Sequence, residues 1–171
     1  MTMELNELLK RDGIAKGLCE PWQKKLDTHK SIEGLVRLFV NGIDFCVEKD
    51  YPTLEFMREH FKGKSEPYGA FVDDDVPELK NCRNVVLNGH CRAFIEYDAY
   101  TVARVVARHT TEAAINVSEK AIVTIDAFDN SKLTVAVAGN GAKVFVNKYG
   151  DAQVECIGQG IELKTINKNT Y

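Results

Sequence analysis

Several things are scarce in this sequence, and each scarcity excludes something. No stretch approaches the roughly 18 consecutive apolar residues that a membrane-spanning helix needs. Residues 1–13, MTMELNELLKRDG, lack the basic-then-apolar succession of a secretory signal. The chain is therefore expected to be soluble and cytoplasmic, with no membrane partner. An excess of positive charge is also missing: 22 Lys and Arg against 25 Asp and Glu leave −3. Such a chain has no global field to hold a phosphate backbone, so a nucleic-acid partner is not expected.

Paired cysteines are absent as well. Cys19, Cys46, Cys82, Cys91 and Cys156 are odd in number and contain no CxxC, so neither a disulfide framework nor a thiolate zinc site is indicated. Cys82, His90 and Cys91 are the nearest soft ligands to one another, and a metal there needs a further ligand from elsewhere. No P-loop, G-x-S-x-G, H-E-x-x-H or G-x-G-x-x-G occurs. His29, His60, His90 and His109 fall on different segments. The expectation leans away from an enzyme, with no catalytic residue, metal or cofactor assigned.

What is present divides the chain. Residues 1–65 carry helical spacing. MELNELLKR puts Leu5, Leu8 and Leu9 on one face, with Asp12-Gly13 expected to end the helix. A second short helix is expected through Pro21, Trp22 and Leu26. Ser31 reads as the N-cap of a long apolar helix over residues 31–50, suited to the centre of a helical core or to half of a self-association surface. Residues 51–64 read as a fourth helix, with a proline at its start and Gly63 after its end. Residues 66–82 hold Pro67, Pro77 and the run Asp73-Asp74-Asp75. They are expected to form a linker, with a short strand at 69–72 at most.

From residue 83 to 171 the pattern changes to alternation. AFIEY, ARVVA, AINV, AIVTI, KLTVAV, AKVFV, AQVECI and IELKTI follow one another at intervals of about ten residues, the spacing of short strands separated by turns. The segment also repeats. AIVTIDAFDNSKLTV at 121–135 aligns without gaps on AKVFVNKYGDAQVEC at 142–156, an offset of 21. AFIEYDAYTVARVVA at 93–107 aligns on the same block at an offset of 28. A period near 20 in a β-rich segment implies a solenoid whose coils stack because none buries its own apolar face. The expected fold is α+β: a helical segment followed by a short β-solenoid (β-helix-like) of about 20-residue coils. An antiparallel β-sandwich or jelly roll is the alternative.

Stacking brings aligned residues together. Tyr100, Phe128 and Tyr149 are expected to form an aromatic ladder at one corner. Asp126 and Asp129, which look like acids or metal ligands in IDAFDN, read instead as turn residues that accept hydrogen bonds from the turn's own backbone N–H groups. The 28-residue alignment also brings Arg104 to Lys132. Arg104, Arg108, His109 and Lys132, with Tyr97 or Tyr100 as a stacking face, are the candidate ligand-binding residues for a phosphate, nucleotide or anionic sugar.

The combination LCEPWQKKL, GIDFCVEKDYPTLEFMREHFKGK, YDAYTVARVVARH and AIVTIDAFDNSKLTV resembles a group of small uncharacterised proteins encoded in gut-bacterial genomes and their prophages. The likeness covers most of the chain. It implies a helical N-terminal part, a repetitive β part and a phage-linked role, and transfers no mechanism. The expected function is a non-catalytic interaction or self-assembly protein, most simply a homo-oligomer, presenting a repetitive β face. A small anionic-ligand binder is the alternative.

Overall fold

The computed structural model describes residues 2–171, which form two compact units, one up to Ala70 together with Tyr171 and the other Phe71–Thr170. The first unit contains helices α1 (Leu5–Ala15), α2 (Glu20–Thr28), α3 (Ile32–Asn41), α4 (Ile43–Lys49) and α5 (Leu54–His60), then a 3-10 turn at Glu66–Tyr68. Ser31 caps α3 as expected, its Oγ accepting from the Gly34 N–H at 3.1 Å, and Thr53 caps α5 in the same way. The apolar segment 31–50 lies in the core of this unit: Leu35, Val36, Phe39, Ile43, Cys46 and Val47 are buried.

Two expectations for this unit change. Asp12-Gly13 does not end α1, which runs on to Ala15 before Gly17 turns left-handed at φ +91°. Gly13 is small for a packing reason, since a Cβ there would lie 2.9 Å from Leu18 Cδ2 and 3.0 Å from the Tyr51 hydroxyl. The single helix over 31–50 is two helices. Gly42 breaks it at φ −101°, ψ 24°, where a Cβ would press on the Leu38 carbonyl and on Trp22.

The second unit is a β-solenoid. Its strands are β1 (Ala70–Val72), β2 (Asp75–Lys80), β3 (Asn84–Asn88), β4 (Arg92–Tyr97), β5 (Val102–Ala107) and β6 (Glu112–Val117), then β7 (Ile122–Ala127), β8 (Lys132–Val137), β9 (Lys143–Tyr149), β10 (Gln153–Ile157) and β11 (Ile161–Ile166). Successive strands alternate between two parallel sheets, ordered β1-β3-β5-β7-β9-β11 and β10-β8-β6-β4-β2. Residues 66–82 are thus not only a connector, because β1 and β2 already belong to the sheets. The antiparallel alternative is excluded by the parallel registers.

From β4 to β8 the coils are built of six-residue strands and four-residue corners; outside that stretch the strands run from three to seven residues. Partners are 20 residues apart at Val102↔Ile122 and Arg92↔Glu112, and 21 apart at Val123↔Val144 and Lys132↔Gln153. The alignment of 121–135 on 142–156 is therefore the true register, whereas the 28-residue alignment pairs strands of opposite sheets. Inward columns are aliphatic: Val85, Val105, Ile125 and Val146 from one sheet face Ile95, Ile115 and Val135 from the other, all at most 1% exposed. Small residues close the corners. Cys91, Thr111, Ser131 and Ala152 form one buried column, each but the last handing its carbonyl to the coil above.

Candidate functional site

The corners carry most of the polar chemistry, and their geometry recurs every ten residues. Ala99, His109, Glu119 and Asp129 all adopt left-handed backbone, with φ between +56° and +60°, and Gly89 and Gly139 continue the series on either side. Along one edge the side chains of this position tie coil to coil: the Gly89 N–H donates to His109 Nδ1 and the His109 N–H to Asp129 Oδ2, both at 2.8 Å. Asp129 in IDAFDN therefore holds the His109 amide of the corner one coil below, in place of a backbone group of its own turn. On the opposite edge Asn81, at φ +54°, accepts from the Asp98 N–H and the Thr101 hydroxyl and donates to Asp98 Oδ1. That bond, and the Lys80 ammonium 2.9 Å from Oδ2, hold the Asp98 carboxyl below its ordinary pKa.

Asp126 is not a corner residue. It sits near the end of β7, 2% exposed, with its carboxylate bound by Arg104 Nε and Nη2 at 3.1 and 2.9 Å and by Asn147 Nδ2 at 2.8 Å. Register explains the trio: β5, β7 and β9 are neighbours, and Asp126 is opposite Asn147 and one outward position along from Arg104's partner Thr124. Beyond it at the corner, the rings of Phe128 and Tyr149 stack at 4.4 Å with planes 19° apart.

The structure separates the residues expected to bind an anion. Arg104 is on the six-stranded sheet and engaged with Asp126, while Lys132 is on the five-stranded sheet. Arg108 is buried at 3% exposure, and His109 faces the Gly89 amide. Tyr97 is fully buried in the solenoid core, its hydroxyl donating to the Cys82 carbonyl at 2.7 Å and its pKa raised by burial. Tyr100 is 83% exposed at the β4–β5 corner, the edge opposite Phe128 and Tyr149. The expected ladder is thus a stacked pair, without Tyr100, and the patch is not assembled.

Three other features were not visible in the sequence. On the five-stranded sheet, Asp75, Arg92, Glu112 and Lys132 alternate in sign along one column that continues to the uncharged Gln153, and this column lines a shallow groove of about 1030 Å³ together with Phe94, Ala114 and Thr134. Within the helical unit, Leu18, Trp22, Leu38, Phe39, Phe45 and Tyr51 line an apolar cavity of about 390 Å³. At the end of the solenoid, β10 and β11 each have a neighbour on one side only. There Leu163 is 45% exposed, whereas Val146 beneath it in the same column is fully buried. Cys156 is exposed above buried Val135 in the same way.

Among the described residues no group of three or more His, Cys, Asp and Glu is placed to hold a metal ion, and no helix is long and apolar enough to cross a membrane. Comparison with protein-family models, with curated protein sequences and with solved structures finds no match to this chain.

Proposed function

We propose that this chain is a non-catalytic interaction and self-assembly protein that works through the last coil of its solenoid. The observation that carries the reading is the change within single columns, from fully buried Val146 to 45% exposed Leu163 and from buried Val135 to exposed Cys156. A stacked coil buries its apolar face only against another coil, and open parallel strands present unpaired amides and carbonyls that invite a further strand. The resemblance to prophage-encoded proteins adds a phage or host protein as a second kind of partner. Light scattering of the full chain across a concentration series tests the reading. It predicts mass rising with concentration and a Leu163→Lys variant that stays monomeric. A native chain of constant monomer mass counts against it.

A second reading, a small-ligand binder, now draws on the helical unit instead of the Arg/Lys/Tyr patch. A cavity of about 390 Å³ with mainly aliphatic and aromatic walls suits a compact apolar molecule, because pockets of such size and lining bury most of a small ligand. A thermal-shift screen against apolar and aromatic compounds checks it: Leu38→Trp, which fills the cavity, should remove any stabilisation seen with the native chain.

A further inference from the structure

Strand β11, IELKTI, is paired with β9 on one side and open on the other. The carbonyls of Gly160 and Ile166 accept from the N–H groups of Val144 and Gly150 on the β9 side. Along a parallel strand the hydrogen-bonding groups of alternate residues point to opposite sides. Ile161, Leu163 and Thr165 therefore direct their N–H and C=O groups to the open edge. Edges of this kind are commonly guarded by lysines, proline, a bulge or a covering loop. Here Glu162, Leu163, Lys164 and Thr165 are all exposed, the one lysine is balanced by Glu162, and the chain beyond Ile166 turns back to put Asn169 against Gly150.

Resting on the assembly reading above, we infer that the occupant of this edge is β11 of a second copy, paired antiparallel about a twofold axis at Leu163. Side chains keep their faces only when directly opposed residues share parity. Two such registers overlap most of the strand. Centring on Lys164 sets Lys164 against its own copy. Centring on Leu163 sets Glu162 against Lys164 on both sides of the axis, Leu163 against Leu163 over the core, and Ile161 against Thr165. It also satisfies the open backbone groups of Ile161, Leu163 and Thr165 together, because those are then the pairs that exchange both hydrogen bonds. Charge and hydrogen bonding select the same register, and the interface is isologous, as closed dimers require.

Sedimentation equilibrium on the full chain, with circular dichroism to confirm folding, tests the pairing through Glu162→Lys, Lys164→Glu and the double exchange. Each single change turns both symmetry-related attractions into repulsions and is expected to weaken association by about tenfold or more. The double variant restores the opposed charges and should return within about threefold of native affinity. Single variants that associate like the native chain, or a double variant no better than either single one, overturn the β11 pairing while leaving the assembly reading standing. A native chain that is monomeric at every concentration overturns both.

Discussion

Phe128 shows what a single residue does here. It is 1% exposed, and its ring stacks on Tyr149 one coil above, so it joins burial to coil-to-coil contact. Phe128→Ala should cost about 3–5 kcal/mol, and a Phe128/Tyr149 double-mutant cycle should show a coupling of about 0.5–1.5 kcal/mol, both read from denaturant unfolding. Tyr100→Ala, at 83% exposure, should change stability by less than about 0.5 kcal/mol. Asp98 supplies the pH dependence. Its carboxyl is held below its ordinary pKa by Asn81 and Lys80, so the folded state favours the charged form. That contribution is present above the ordinary pKa and is lost as pH falls through the lowered one. Thermal melts in the acid range should therefore lose stability less steeply in Asn81→Ala, which is already weakened at neutral pH, than in the native chain.

At the scale of the element, the coil was legible where the repeat keeps its phase and illegible where two look-alike strings fall out of phase. Alternation of apolar and polar residues fixed the strands, and the gapless block at 121–135 and 142–156 fixed the true register of β7 on β9 and β8 on β10. The strings DAY at 98–100 and DAF at 126–128 misled. Asp98 opens a corner, whereas Asp126 is still within β7, and the structural equivalent of Ala99 is Asp129, the left-handed residue of its own corner. Gly89 and Gly139 mark that phase in the sequence, but four non-glycine residues between them hide it. Left-handed backbone strains a residue with a Cβ, while glycine costs more entropy to order. Ala99→Gly should on balance stabilise the solenoid by about 0.5–1 kcal/mol. Asp129→Gly should gain less or lose stability, because its carboxylate holds the His109 amide. Chemical denaturation of the two variants separates these outcomes.

At the scale of the whole molecule, what could be read from the sequence was the division into a helical part and a solenoid; the surfaces could not be read. Arg104 and Lys132 look adjacent only in an alignment that crosses sheets, and the buried carboxylate that engages Arg104 is placed by the register of β5 on β7. The charge column on the five-stranded sheet, the cavity among the helices and the exposed Leu163 depend on which strands and helices become neighbours, which no local pattern encodes. The self-complementary order of Glu162, Leu163 and Lys164 was in the sequence throughout, yet it acquires meaning only once β11 is known to have an open edge. The most direct measurement is cross-linking across that edge, in a chain carrying Cys19→Ser and Cys156→Ser to remove the exposed thiols. In the Leu163-centred pairing the two Leu163 Cα atoms lie about 5.5 Å apart, within the span of about 4.4–6.8 Å that a disulfide bridges. Leu163→Cys should form a covalent dimer on mild oxidation, while Lys164→Cys, set opposite Glu162, should not. Equal cross-linking of the two variants, or none at Leu163, would contradict the pairing.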